Sequence, residues 1–200
     1  MEIAVSGDDA EVYELSCNMA ARHGAHPVDG TGVLAKALRR GGTLPDHPDA
    51  VWRDAAPTPS DFVPTVDVVR LVSSRVKEVF NAHLGPADTI DWIPATLISN
   101  EQRLPYWVPH FPNHVDLLDK ERSGIGPLGV PATPVYSASK LAGHAVTVYA
   151  LPPRAVQVSG ETLHAPSSLA SLIYVVTAPV RQALLDENVT GAVFIPRPVI

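Results

Sequence analysis

Two separate stretches of the chain have the same pattern of hydrophobic and polar positions. The first stretch runs from Val72 to Ile98 and the second from Val176 to Ile200. Each begins with an apolar residue and a hydroxyl residue suited to capping a helix, and continues with a short amphipathic helix. A glycine then ends the helix, and an aromatic-Ile-Pro run leads into an apolar strand. The pattern predicts two framing helix–strand units.

In the first unit, the spacing of apolar residues predicts a helix that begins at Ser73 or Ser74 and ends at His83. A strand follows over 89–98. Its Pro94 predicts an edge or a bulge, because proline has no N–H with which to join a sheet on both sides.

In the second unit, Thr177 caps a predicted helix and Pro179 lies in its first turn, where proline is tolerated. Gly191 then leads into a strand over 192–195. Between the units, residues 105–109 predict a short edge strand. Short helices and strands without regular βαβ spacing predict an α+β fold with short mixed or antiparallel strands.

The sequence before the first unit predicts fewer regular elements. We expect a strand over 2–6, a helix over about 8–22 with Val12, Leu15, Met19 and Ala20 on one face, and a short helix over about 33–39. We therefore divide the chain into an N-terminal helical or irregular segment (1–50), a proline-rich connector (51–65) and an α+β domain (66–200). One domain overall is the alternative.

The composition limits the classes of function. A hydrophobic fraction of 46% in 200 residues suits a globular core, and 20 prolines indicate many irregular connections. No apolar run approaches the ~18 residues of a membrane span, and no secretory signal is visible. The single cysteine, Cys17, excludes an internal disulfide and fits the cytoplasm. The net charge of −6 argues against nucleic-acid binding and permits a basic protein partner.

No cofactor and no metal ion is predicted. Residues 124–129 match the letters of a GxGxxG motif, but Pro127 prevents the helix start that a dinucleotide needs. His110 and His114 are four residues apart, which on a helix would form half a metal site, but Pro112 forbids a regular helix. A similar loose group in a predicted loop consists of His23, His26 and Asp29.

A small hydrolase or transferase is the alternative function. Ser137, Ser139 and His144 lie close in sequence, and such enzymes need a nucleophile beside a base. The pattern is more typical of a capped turn before a strand, and no Gly-x-Ser-x-Gly elbow occurs. We predict polar surface for the carboxylate pairs and a buried small side chain for Cys17, and therefore no enzyme. The carboxylate pairs are Asp88 with Asp91 and Asp116 with Asp119.

Several motifs follow one another in a fixed order between Ser60 and Ile200. They are Asp61-Phe62, Val72-Ser73-Ser74-Arg75-Val76, Trp92-Ile93-Pro94, Tyr106-Trp107-Val108, the segment from Val115 to Ser123, and Thr190-Gly191-Ala192-Val193-Phe194-Ile195-Pro196. In this order and spacing, the chain resembles the bacterial polymorphic-toxin immunity proteins of family eleven. The resemblance implies a protein that binds and neutralises a cognate toxin and has no catalytic residue.

The acidic balance of the chain would suit a toxin with a basic surface, such as a nuclease. Aromatic side chains beside acidic ones are typical of binding hot spots. We therefore predict toxin contacts in the segment from Tyr106 to Ser123. The residues are Tyr106, Trp107, Asp116, Asp119 and Glu121. The expected partner is this toxin, with no nucleic acid and no membrane, and the oligomeric state stays open.

Overall fold

A computed structural model describes residues 12–17, 24–28, 34–35, 37–38, 41–44, 50–54, 56, 58–66, 69–124, 131, 133–150, 155–158, 161–164 and 172–200. The strands are β1 (Val12–Cys17), β2 (His26–Pro27), β3 (Ala50–Arg53), β4 (Phe62–Pro64), β5 (Arg70–Val72), β6 (Asp91–Ser99), β7 (Gln102–His110), β8 (Val146–Ala150), β9 (Ala155–Val158), β10 (Glu161–His164), β11 (Leu172–Thr177) and β12 (Ala192–Arg197). The helices are α1 (Ser74–His83), α2 (Ala138–Leu141) and α3 (Ala178–Asp186). Residues 34, 35, 37 and 38 are also helical, within the predicted helix over about 33–39. The strand expected over 2–6 and most of the GxGxxG stretch lie outside the described residues.

Two sheets organise these elements. The first has the strand order β12-β1-β11-β8, and all its neighbours are antiparallel. The second has the order β2-β3-β6-β7-β5-β4, in which β3 and β6 are the parallel pair. β9 and β10 form a separate hairpin. The strand-dominated mixture confirms the predicted α+β class.

The two framing units have the same topology. In the first, α1 connects β5 to β6, and β7 lies between these strands and runs antiparallel to both. In the second, α3 connects β11 to β12, and β1 occupies the corresponding place. Each unit is thus a split β-α-β arrangement, in which an antiparallel strand from elsewhere in the chain completes the sheet.

Three hydrophobic clusters fill the layers around these sheets. The central cluster joins both sheets through α1 and α3, and includes Phe80 and Leu184. A second cluster covers the other side of the six-stranded sheet, where helical Leu34 packs with Trp52. In the third, Leu117 and neighbouring side chains cover the other side of the four-stranded sheet. Both framing helices therefore belong to the cluster that joins the two sheets.

Each framing helix places a cation over two aromatic rings of its own sheet. Lys77 Nζ of α1 lies 3.1 Å from the ring centroid of Trp107 and 5.7 Å from that of Trp92. Arg181 Cζ of α3 lies 4.8 Å from the centroid of Tyr13 and 5.8 Å from that of Phe194. The two cations hold the same position in their helices, so the sequence repeat also repeats a cation–π contact.

Asp61 connects the two units at one point. Its Oδ1 accepts a hydrogen bond from Ser73 Oγ at 2.8 Å, next to the start of α1. Its Oδ2 accepts from the backbone N and the hydroxyl of Thr190, at 3.0 and 2.9 Å, just before β12. Burial would raise the pKa of Asp61, but the hydrogen bonds from Thr190 and Ser73 outweigh it, so the pKa lies below its usual value.

The helix predicted over about 8–22 is wrong for its described part, which forms strand β1. Val12 and Leu15 would share a helix face, but in β1 they belong to different clusters on opposite sides of the sheet. Other side chains cover both sides of β1, so apolar residues occur at consecutive positions in this strand. The spacing of its apolar residues therefore cannot distinguish a strand from a helix. Pairing with β11 and β12 decides the outcome.

The proline-containing strands also differ from the prediction. The strand predicted over 89–98, with Pro94 at an edge or a bulge, is β6, which pairs with β3 on one side and β7 on the other. Pro94 fits because, among the described residues, the pairing with β3 begins at Ala95, so the described partner of Pro94 is Trp107 of β7. Residues 105–109 are not a short edge strand but belong to the 9-residue β7 inside the sheet.

We expect Asp61→Asn to lower the free energy of unfolding by about 1–2 kcal/mol at pH 7, because hydrogen bonds to a charged acceptor are lost. The folded-state pKa lies below the unfolded value, so this stabilisation is present above about pH 4 and disappears as the pH falls through the folded pKa. Urea unfolding of both proteins at pH 7 and pH 3 measures the difference. Asp91→Asn, at an exposed carboxylate with no hydrogen bond among the described residues, is the control. A loss that is equal at both pH values would contradict the expectation.

Gly191 lies where the second unit meets the segment before β4. Its φ is +81°, and a Cβ there would lie 2.5 Å from Ser60 Oγ and 2.6 Å from Phe62 O. We expect Gly191→Ala to cost more than about 1 kcal/mol, because it adds a backbone collision to the φ strain. Gly42→Ala is the matched control, since Gly42 has a φ of +76° but open space around it. Equal thermal shifts for the two variants would show that the close approach has no effect.

Candidate functional site

An open groove of about 370 Å³ lies between α1 and α3. Ser73 caps α1, since its Oγ accepts the N–H of Val76, and Pro179 occupies the first turn of α3. Both helices bury an apolar side in the central core, which leaves their polar sides to form the groove. The lining residues are Arg75, Glu78, Val79, Ala82, His83, Ala183, Asp186 and Glu187.

The rim of this groove is acidic. Glu78, Asp186 and Glu187 are all exposed. The guanidinium of Arg75 donates to the backbone carbonyl of Glu187 at 3.1 Å, so its donors are partly occupied. His83 Nδ1 donates to Val79 O at 2.8 Å, within its own helix. Three exposed carboxylates thus face one engaged arginine and one histidine, above a floor that includes Val79.

Sequence reasoning missed the carboxylates of this groove. Helical periodicity identifies Glu78 as lying on the polar side of its helix, and it places Asp186 at the end of the second helix. These carboxylates meet at one opening because α1 packs against α3. This is a tertiary contact, and no residue spacing in the sequence predicts it.

Two of the five residues predicted to bind a toxin lie on opposite sides of β7. Tyr106 is 7% exposed, packs with Trp52 in the second cluster and donates its hydroxyl to Ser60 O at 2.8 Å. Burial, with a smaller effect from nearby carboxylates, raises the pKa of Tyr106 to about 12. Trp107 lies on the other side, under Lys77 and with its indole N–H bonded to Ser74 Oγ. Both aromatic rings are engaged within the chain.

The other three predicted residues lie around Leu117 and Leu118, near α2. Hydrogen bonding to Lys120 lowers the pKa of Asp116, and Lys140 adds to the effect. Lys120 Nζ lies 2.7 Å from Asp116 Oδ2. Asp119 accepts the backbone N–H of Arg122 at 2.9 Å, and Glu121 is exposed. Lysines therefore offset part of the charge of this acidic segment, and its role in toxin binding stays a prediction.

The predicted set of Ser137, Ser139 and His144 does not form one connected site. The hydroxyls of Ser137 and Ser139 lie 3.0 Å apart and bond to each other. His144 Nδ1 instead lies 2.8 Å from Asp88 Oδ1, and no hydrogen bond joins it to either serine. The other oxygen of Asp88 accepts backbone N–H groups from Gly85, Ala145 and Val146 at 2.7–2.9 Å. Asp88 thus clamps the loop after α1 to the start of β8.

A partly buried ion pair is a further feature that the sequence did not indicate. Glu14 of β1 accepts from Arg197 Nη2 at 2.6 Å and from the Tyr136 hydroxyl at 2.7 Å. Burial and then the charge of Glu14 raise the pKa of Tyr136. Because Tyr136 N also donates to Pro198 O, the cluster attaches the end of the chain to the sheet. These contacts give the cluster of Glu14, Tyr136 and Arg197 a structural role.

The remaining candidates give no reactive site among the described residues. Cys17 is buried as expected, in β1, and burial raises the pKa of its thiol to about 11, which keeps it protonated. His26 is exposed, while His23 and Asp29 lie outside the described residues. Within the described ranges, no group of three or more His, Cys, Asp or Glu side chains gathers to hold a metal ion. His110 Nε2 donates to Gly42 O at 2.7 Å, and His114 lies beside Gly41.

Comparison with known proteins gives no identity. No protein-family model and no curated protein matches this chain. The resemblance to the immunity proteins of family eleven therefore stays a prediction. No helix within the described ranges is long and apolar enough to cross a membrane.

We expect Asp88→Ala to lower the free energy of unfolding by about 2–3 kcal/mol, because the backbone N–H groups of Gly85, Ala145 and Val146 would lose their acceptor. His144→Gln is the control: it removes the imidazole and leaves the backbone clamp, so its loss is expected to be smaller. Chemical denaturation of both variants measures the two effects. The assignment of Asp88 as a clamp is wrong if His144→Gln costs as much or more.

Proposed function

We propose that the protein is a cytoplasmic immunity protein that binds a cognate bacterial toxin domain and neutralises it by stoichiometric contact. The observation that supports this proposal best is the acidic groove between α1 and α3. The resemblance over residues 60–200 points to the same function. Neither a cofactor nor nucleic acid has a part in it.

The charge of the groove suits a basic partner. Nucleases bind phosphate groups through Lys and Arg side chains. Glu78, Asp186 and Glu187 are exposed and would face such side chains directly. Complementary charge accelerates encounter and suppresses wrong partners. An inhibitor that covers the basic surface of a nuclease also blocks its access to nucleic acid.

The groove combines this charge with apolar surface. Val79, Ala82 and Ala183 belong to its lining. Protein–protein contacts that carry most of the binding energy have an apolar centre inside a polar rim. We therefore infer that a Lys or Arg side chain of the toxin would insert its apolar stem here and pair its charge with the rim.

Charge reversal distinguishes toxin binding at the groove from toxin binding at the segment that the sequence predicted. The candidate toxin encoded beside this gene is expressed with the protein and cell survival is measured, and calorimetry on the purified proteins gives the affinity. We expect the triple variant Glu78→Lys, Asp186→Lys, Glu187→Lys to weaken binding about a hundredfold, since like-charge contacts cost several kcal/mol. The matched control makes the same charge change at Asp116, Asp119 and Glu121, and should weaken binding less.

The outcomes of this experiment distinguish the two binding surfaces and also test the immunity function itself. If the control variant alone loses protection, the toxin binds the Asp116–Glu121 segment and not the groove. If cells die equally fast with and without the wild-type protein, the immunity function is wrong.

The alternative hydrolase or transferase has one contact in its favour. A carboxylate that holds an imidazole, as Asp88 holds His144, is part of many nucleophilic sites. This alternative is tested in the same survival assay with a triple variant, Ser137→Ala, Ser139→Ala, His144→Gln. Full protection by this variant supports stoichiometric binding, whereas lost protection with unchanged toxin affinity would favour chemistry.

A further inference from the structure

Strand pairing places basic side chains in one row on the six-stranded sheet. His26 of β2 pairs with Arg53 of β3. Ile98 of β6 pairs with Arg53 on one side and with Arg103 of β7 on the other, and paired residues carry their side chains on the same side of a sheet. The histidine and both arginines are exposed, and Ile98 is half-buried between the arginines. Neighbouring strands lie about 4.8 Å apart, so the Cα atoms of the two arginines are separated by about 10 Å.

An apolar row lies beside this basic row. Val51 pairs with Thr96, and Thr96 pairs with Pro105, each two residues along its strand from the basic row. Val28 extends the row, since its N–H donates to Val51 O at 2.9 Å, and its side chain is 37% exposed. The side of a sheet that only meets water carries polar side chains, and Thr96 is the one polar residue among these four. Contact with water alone therefore does not explain this surface.

The helices cover only part of this side of the sheet. Trp92 and Trp107 lie on it and pack against the central cluster, and Lys77 of α1 lies over both rings. The basic row and the apolar row lie beyond these tryptophans in the same strands, β6 and β7. The opposite side of the sheet is closed, because Trp52 and Leu97 are completely buried in the second cluster. We call the two rows together the arginine face.

The positive charge of the arginine face has no counter-charge within the described ranges. Among these residues, no ion pair and no side-chain hydrogen bond engages Arg53 or Arg103. Asp54 follows Arg53 in sequence, but it is 8% exposed and accepts the N–H of Ala56. Glu101 lies in the turn between β6 and β7 and pairs with neither guanidinium. Two unengaged guanidinium groups thus stand beside an apolar surface.

We propose that the arginine face binds an acidic segment of a partner protein, one that places apolar side chains beside its carboxylates. A guanidinium holds a carboxylate through two parallel hydrogen bonds. The apolar stems of the two arginines lie against the surface around Ile98, while their charged ends reach the partner. Arginine is also enriched among the residues that contribute most to protein–protein binding.

The composition of this surface favours a protein over a nucleic acid. Affinity for a nucleic acid grows with the number of phosphates that Lys and Arg neutralise, and this face supplies two arginines on a chain of net charge −6. An apolar row has no role on a phosphate backbone, whereas protein interfaces combine an apolar centre with a polar rim. No residue of the arginine face lines the groove between α1 and α3, so the proposal does not depend on toxin binding there.

Nuclear magnetic resonance titration of the full-length protein tests the proposal with a synthetic peptide in which Glu and Leu alternate. We expect this peptide to shift the resonances of Arg53, Ile98 and Arg103 first. The matched peptide with Gln in place of Glu keeps the apolar side chains and loses the charge, so it should bind at least about tenfold more weakly. The comparison uses the wild-type protein alone and is independent of how any variant folds.

Charge reversal then tests the two arginines. The double variant Arg53→Glu, Arg103→Glu should weaken binding of the acidic peptide at least about tenfold, because attraction becomes repulsion. The matched control, Lys120→Glu with Arg122→Glu, makes the same charge change at two exposed side chains elsewhere and should leave the affinity unchanged. The proposal is overturned if the acidic peptide shifts no resonance of the arginine face, if the two peptides bind equally, or if both double variants lose equal affinity. Tighter binding of a single-stranded DNA oligonucleotide to this face would show that the partner class is wrong.

Discussion

The packing of α1 against α3 is the contact on which the rest of the structure depends. Each helix covers one side of its own sheet, and the two helices meet in the central cluster. Phe80 of α1 and Leu184 of α3 are both almost completely buried there. Full burial of one such side chain contributes about 1.5–3 kcal/mol, so this layer holds the two sheets together chiefly by the hydrophobic effect. The groove exists because the polar sides of the same helices cannot enter that layer.

Polar contacts fix how the two units are joined. Asp61 bonds the cap of α1 on one side and Thr190 on the other, and Arg75 reaches the carbonyl of Glu187 between the helices. Hydrogen bonds have directional geometry, whereas hydrophobic burial does not. The core thus supplies most of the stabilisation, while these few contacts specify the alignment of α1 with α3. The carboxylates at the groove depend on that alignment.

The repeated cation–π contact explains why the two units look alike in sequence. A short amphipathic helix over a strand with an aromatic residue near its start presents its cation to that ring. Lys77 lies over Trp92 in this way, and Arg181 lies over Phe194. The second ring in each case comes from the inserted strand, Trp107 of β7 or Tyr13 of β1. The cation therefore also contacts the strand that completes each unit.

Local chemistry allowed the sequence to determine the framing helices and the α+β class, because hydrophobic periodicity acts within a few residues. Ser73 makes its capping hydrogen bond, whereas Thr177 stands at the N-cap of α3 without a side-chain hydrogen bond, and α3 ends at Asp186, well before Gly191. Tertiary structure alone decided that residues 12–17 form β1 between β11 and β12, because a segment covered on both sides has no diagnostic period. It likewise decided the pairing of Glu14 with Arg197, the hydrogen bond of His110 to Gly42 O, and the opening of the groove. These features join residues far apart in the chain, and their geometry follows from packing and strand pairing.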